Sequence, residues 1–126
     1  MAGERVLVVE DNEKNMKLVR DVLRATGYTP LEASSGEEAL TLAAESPPTL
    51  VLMDIQLPGI DGVEALRRLR ENEQTARIPV LALTAQAMEG DRQRFLAAGF
   101  DGYLSKPVDL PKFVAAVRRH CDEGAE

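Results

Sequence analysis

Val6-Leu7-Val8-Val9-Glu10-Asp11-Asn12 decides the fold: four consecutive apolar residues run straight into two carboxylates and an amide. An unbroken apolar run of this length reads as a strand buried on both faces, as in a parallel sheet. The pattern recurs in Leu50-Val51-Leu52-Met53 followed by Asp54-Ile55-Gln56, and in Val80-Leu81-Ala82-Leu83 followed by Thr84-Ala85-Gln86. Two weaker strands are expected over Tyr28 to Ala33 and Gly102 to Ser105, the latter leading into Lys106-Pro107. Pro30 cannot donate to a ladder, which places its strand at an edge.

Helix-period segments fill the intervals. Asn12 to Thr26 carries Leu18, Val19, Val22 and Leu23, with Gly27 as a stop. Ser35-Gly36-Glu37-Glu38 reads as a capping box opening a helix through Ala44 or Glu45, and Asp61-Gly62-Val63-Glu64 as a similar cap ahead of Leu66 and Leu69. A fourth helix spans Met88 to Ala98, with Met88, Phe95 and Leu96, and ends at Gly99. Asp109 caps the fifth, whose apolar face is Leu110, Phe113, Val114, Val117 and Cys121. Strict alternation of five strands and five helices predicts one α/β domain over residues 1–126, doubly wound, with helices on both faces of a parallel five-stranded sheet. The expected core is about 4–121, and 122–126 reads as a frayed tail. The short lead and tail favour a self-contained protein.

Composition narrows the function. A chain of 126 residues with 44% hydrophobic and 29% charged residues is an ordinary globular domain. A net charge of −6 argues against direct binding of nucleic acid or an anionic membrane. Apolar runs of about five residues are far too short to span a bilayer, and no signal-peptide core follows Met1. Cys121 is the single cysteine and His120 the single histidine, which excludes a disulfide and zinc-finger or HExxH sites and fits a cytoplasmic location.

Ligands of open α/β sheets bind beyond the carboxyl ends of the strands. If the first and third strands are neighbours, Glu10, Asp11 and Asp54 converge there, flanked by Thr84 and Lys106. Three carboxylates in one cleft need cations to stay ionised. Lys106 supplies one charge. The hard oxygen donors select Mg²⁺, or Mn²⁺, for the rest. An ionised aspartate beside such a metal is a phosphoryl acceptor in waiting. Each residue alone reads more simply, Asp11 or Asn12 as a helix cap, Tyr103 as core packing; their coincidence at successive strand ends carries the weight.

With Val8-Val9-Glu10-Asp11-Asn12, Met53-Asp54-Ile55-Gln56-Leu57-Pro58-Gly59-Ile60-Asp61-Gly62, Leu83-Thr84-Ala85 and Tyr103-Leu104-Ser105-Lys106-Pro107, the chain resembles the receiver domain of two-component response regulators over about residues 4–121. The resemblance implies a flavodoxin-like (βα)5 fold with strand order 2-1-3-4-5, an order for which a relative of this family is a standard example. It implies Asp54 as phosphoacceptor and Asp11 as direct Mg²⁺ ligand, with Glu10 acting through water and the backbone carbonyl of Gln56 completing the set. It also implies Thr84 and Lys106 as phosphoryl partners, Tyr103 as switch aromatic, a cis peptide between Lys106 and Pro107, and Gln56 and Gln86 at positions that tune phosphoryl lifetime.

Thr84 to Arg92 is most similar to stand-alone receivers of the cell-polarity and cell-cycle type and to receivers of hybrid histidine kinases. The implied role is a phosphorylation-dependent switch, not an enzyme beyond its own phosphoryl transfer and dephosphorylation. Its partners would be a histidine kinase or phosphotransfer protein and a downstream protein, with the chain a monomer or a phosphorylation-dependent dimer. Met16, near Asn15 on the first helix, is a candidate for donor docking or for peripheral packing. The alternatives are a receiver cut from a hybrid kinase and a pseudo-receiver scaffold. An aspartyl phosphatase would need a second acid where Gln56 stands. A flavin carrier would need a phosphate loop where Glu10 and Asp11 stand. Phosphotransfer through His120 is disfavoured by its place beside Arg118 and Arg119 at a helix C-terminus.

Overall fold

The computed structural model describes residues 4–84, 91–106 and 109–124. Five strands alternate with five helices: β1 (Arg5–Val9), α1 (Glu13–Ala25), β2 (Thr29–Ala33), α2 (Gly36–Glu45), β3 (Leu50–Asp54), α3 (Gly62–Glu71), β4 (Val80–Thr84), α4 (Asp91–Ala98), β5 (Gly102–Ser105) and α5 (Leu110–Gly124). The strands form one parallel sheet in the order β2-β1-β3-β4-β5, the flavodoxin-like order. Pro30 lies in β2, an edge strand paired to β1 alone, so its missing N–H costs no ladder bond.

The pleat sorts the apolar runs into two cores. Val6, Val8, Leu50, Leu52, Leu81 and Leu83 face α1 and α5, where they meet Val19, Leu23, Phe113, Val117 and the buried thiol of Cys121. Leu7, Val9, Val51, Met53, Val80 and Ala82 face α2, α3 and α4, where they meet Ala39, Leu66, Leu69 and Phe95. Alternate residues of each central strand therefore need apolar partners on opposite faces, and this is why the runs are unbroken.

The helix caps follow the sequence with local differences. Asn12 caps α1, accepting from the amides of Lys14 and Asn15. Ser35 caps α2, accepting from the Glu38 amide at 3.1 Å, but Glu38 reaches back one residue further than a standard box, to the Ser34 amide. Asp61 caps α3 at the Glu64 amide, while the Glu64 carboxylate turns along the helix to Arg67 and Arg68.

Three expectations are corrected. Leu18, Leu96 and Leu110 are 42%, 43% and 44% exposed. Each of the first two adjoins the residue that takes the inward position, Val19 and Phe95, and lies about 100° around the helix from it. Leu110 stands in the first turn of α5. The helix α5 runs through Gly124, since Asp122 and Glu123 do not break a helix. Met88 and the peptide bond to Pro107 lie outside the described residues, as does Gln86.

The sheet end opposite the strand carboxyl termini is tied by one side chain. Arg70 of α3 donates to the carbonyls of Ala76 (3.1 Å), Ile78 (2.6 Å) and Gly99 (3.2 Å) and to the Asp101 carboxylate (3.0 Å). Asp101 in turn accepts from the Val80 amide at 2.8 Å. Arg70 thus holds the entrances to β4 and β5 together. Because the pair is partly exposed, each bond contributes less than a buried one. Arg70→Ala is expected to destabilise the domain by about 1–3 kcal/mol in urea denaturation, and Arg70→Lys, which cannot span four acceptors, should recover only part.

Candidate functional site

At the carboxyl ends of the strands the ladder continues past the strands themselves. The amide of Glu10 bonds the Ala33 carbonyl, that of Ile55 the Leu83 carbonyl, and that of Lys106 the Thr84 carbonyl, all at 2.8–3.0 Å. These bonds fix the residues after β1, β3 and β5 as rigidly as the strands. Gly62 adds a close approach: a Cβ there would fall on the Asp54 carbonyl oxygen and lie 2.9 Å from the Ile55 Cα, so α3 begins directly against the peptide that carries Asp54.

The side chains brought together are those the sequence singles out. Glu10, Asp54 and Thr84 are 2%, 5% and 6% exposed. The Lys106 ammonium donates to both Glu10 oxygens at 2.8 and 3.0 Å and to Asp54 Oδ2 at 2.9 Å, which uses all three of its protons. Asp54 Oδ1 accepts from the Gln56 amide at 3.0 Å. Asp11 is exposed at the rim, and one carboxylate oxygen each from Glu10, Asp11 and Asp54 fall within 4.8 Å of one another. Above them opens a cleft of about 730 Å³ whose walls include Asn12, Asn15, Gln56, Thr84 and Lys106. Glu10 lies beneath, gripped by the lysine.

Burial pushes the Glu10 carboxyl up to about 7, and neighbouring Asp54 adds to this; Lys106 and Asn15 pull the other way. Burial would depress the Lys106 ammonium, but its bonds to Glu10 and Asp54 outweigh this and hold it above its ordinary value. Asn15 is a site residue that motif reading passes over as a mere helix position. Its spacing from the Asn12 cap, one turn of α1, is the available signal. Folded Glu10 keeps its proton up to about pH 7, whereas the unfolded chain releases it near 4.5. Between those values the folded state binds more protons, so metal-free stability falls as pH rises through the window. Denaturation in chelator should show a fall on the order of 1–3 kcal/mol from pH 5 to 8, and Glu10→Gln should flatten it.

Once Glu10 is ionised, three carboxylates against one lysine leave a double negative charge, which one divalent cation would balance. The donors are all oxygen, and the cleft leaves room for water or phosphate oxygens, so the residues fit Mg²⁺.

The other expected residues are placed as follows. Tyr103 is half-buried on the α4 side of β5, paired with Ala82 and with its ring 6.1 Å from that of Phe95, beside a hollow of about 530 Å³ between β5 and α5. His120 lines that same hollow, not the acidic cleft, and its Nδ1 lies 2.9 Å from the Ala116 carbonyl. Met16 is 7% exposed and packs in the α1–α5 core, and it also lines a shallow surface hollow with Glu10, Asp11 and Glu13. Among the described residues no helix is long and apolar enough to cross a membrane.

Comparison with known proteins agrees with this geometry. Polar-differentiation response regulators named DivK are similar to the chain: that of Brucella ovis is 47% identical over 115 residues, covering 91% of this chain and 94% of its own, and that of Brucella anthropi is 45% identical over the same coverage. Among solved structures, the receiver domain of the sensor histidine kinase PA1611 of Pseudomonas aeruginosa, with magnesium in its active-site cleft, superposes with a TM-score of 0.88 at 36% identity, covering 96% of this chain and 99% of that one. The Vibrio cholerae chemotaxis protein CheY4 gives 0.87 at 28% identity, covering 94% and 98%. The family model for the response regulator receiver domain matches residues 6–118. With its sheet order, its acid cluster and this match over nearly its whole length, the chain belongs to the response regulator receiver domain family.

Proposed function

We propose that the chain is a phosphorylation-dependent switch in which Asp54 takes a phosphoryl group from a histidine kinase or histidine phosphotransfer protein and a downstream protein reads the result. The observation that carries this reading is Asp54 itself. It is a nearly buried carboxylate at the end of a central strand, held by Lys106 and the Gln56 amide on the floor of an acid-lined cleft.

In the transfer a carboxylate oxygen of Asp54 attacks phosphorus. The phosphorus–nitrogen bond to the donor histidine breaks, and the imidazole leaves with the electron pair. Asp11, Asp54 and the Gln56 carbonyl would hold Mg²⁺, or Mn²⁺ in its place, with Glu10 contributing from beneath. The metal, when bound, supplies charge neutralisation at the phosphoryl oxygens. Lys106 offers a second cation and Thr84 a hydroxyl. The only chemistry assigned to the chain is this transfer and the later hydrolysis, in which water takes the phosphoryl group off Asp54 as inorganic phosphate and regenerates the carboxylate.

A phosphoryl group brings negative charge and strong acceptors to the pocket. A hydroxyl bond from Thr84 and a charge-assisted bond from Lys106 together supply about 2.5–4 kcal/mol. That is below the ~5.5 kcal/mol needed to reverse a 1:99 equilibrium. Phosphorylation alone therefore shifts the population of the α4–β5–α5 face, including Tyr103, in part, and partner binding completes the shift. The test is incubation with a small acyl phosphate and Mg²⁺, read by intact mass. A metal-dependent gain of one phosphoryl group supports the switch; no gain at high donor and metal would leave a scaffold with a fixed binding face.

A further inference from the structure

The loop from residue 55 to 61, between β3 and α3, carries the Gln56 carbonyl and forms one wall of the cleft. It is pinned at its ends by its own backbone: the Gln56 amide bonds Asp54, and the Gly62 amide bonds the Ile55 carbonyl at 3.0 Å. Its middle is held from outside. Gly59 has φ +75°, and a Cβ there would lie 2.8 Å from Glu37 Oε2. The same oxygen accepts the Ile60 amide at 3.3 Å. The Ile60 side chain fills the space over Gly36, where a Cβ would meet its Cγ1 at 2.7 Å. Glu37 belongs to the first turn of α2, and that turn is itself fixed by Ser35, Ser34 and Glu38. Three contacts thus converge from one helical turn on two loop residues.

We propose that Glu37 is a positioning residue for the cation and phosphoryl pocket. By latching Gly59 and Ile60 it sets where the Gln56 carbonyl stands relative to Asp54. This rests on the functional reading above. The bond is long and exposed, so it adds little to global stability; its effect falls on the turn at Gly59 and Ile60, whose other anchors are the Leu57 and Ile60 side chains packed against the core. It also makes the α2 N-terminus a second point from which the pocket can be altered.

The test compares the unaltered chain, Glu37→Ala and Glu37→Gln. Mg²⁺ affinity is measured by calorimetry and hydrogen exchange at the Ile60 amide by NMR. Glu37→Ala should weaken Mg²⁺ binding threefold to tenfold and speed Ile60 exchange, with the melting temperature nearly unchanged. Glu37→Gln keeps an acceptor oxygen and should stay within about twofold of the unaltered chain. If Glu37→Ala binds Mg²⁺ as tightly as the unaltered chain, the latch does not position the pocket. If Glu37→Gln falls as far as Glu37→Ala, the carboxylate acts through charge and the hydrogen-bonded latch is wrong. If the unaltered chain binds no Mg²⁺, the functional reading fails and the positioning role with it.

Discussion

Asp54→Asn is expected to abolish the Mg²⁺-dependent gain of one phosphoryl group and, in chelator, to make the protein more stable. An amide oxygen carries no charge to attack phosphorus, so the rate of modification should fall at least about a hundredfold. The stability effect runs the other way because two nearly buried carboxylates share one ammonium. Burial and then Asp54 push the Glu10 carboxyl up to about 7, the mark of a site that resists full ionisation. Asparagine keeps an oxygen for the Gln56 amide and leaves Lys106 to Glu10 alone. A gain on the order of 1 kcal/mol should appear in urea denaturation, largest above pH 7 where Glu10 is ionised. Phosphorylation surviving in Asp54→Asn would move the acceptor elsewhere. A loss of stability would mean that the shared lysine is a net benefit and the site is not overcharged.

The fold was legible because its signal is local. An unbroken apolar run means burial on both faces, and the two cores confirm that Val8 and Val9, or Leu52 and Met53, need partners on opposite sides. The site was legible because parallel topology gathers strand ends. Lys106 lies 96 residues from Glu10 and 52 from Asp54 in sequence, yet each was readable as a residue that follows a strand. What sequence reading missed depends on less than a full helical step or on contacts without a motif. Leu18 and Val19 differ by one position, and only the docking of α1 decides which is covered. Met16 joins the core for the same reason. Asn15 lines the cleft from α1 and draws the Glu10 carboxyl down, a proximity set by how α1 docks beside β1. Glu37 reaches Ile60 from a different crossover unit, 23 residues away, and no periodicity marks it.

Lys106→Ala should be the most destabilising single change in the site, by about 3 kcal/mol in chelator. Glu10 and Asp54 have side chains 1% and 8% exposed, and removing their shared cation leaves two buried carboxylates without a counter-charge. Removing one member of a buried pair costs about 3–5 kcal/mol, a large part of the 5–15 typical of a domain. The lysine side chain is 16% exposed, and water reaching the vacated space places the expected value at the lower end. Two further outcomes separate electrostatics from lost packing. Mg²⁺ should raise the melting temperature of Lys106→Ala more than that of the unaltered chain, since the metal becomes the only counter-charge for the carboxylates it joins. Adding Glu10→Gln should recover part of the loss, giving a coupling of about 1–3 kcal/mol in a double-mutant cycle. A loss that neither Mg²⁺ nor Glu10→Gln relieves would show that the aliphatic stem, not the ammonium, is what β5 contributes here. The lysine would then be free to serve the phosphoryl group alone. If the expected pattern holds, Lys106 works twice: it balances the empty acid site and then, as metal and phosphoryl group arrive, exchanges carboxylate bonds for a phosphoryl one. Under the proposed function, that exchange would carry the state of Asp54 to β5.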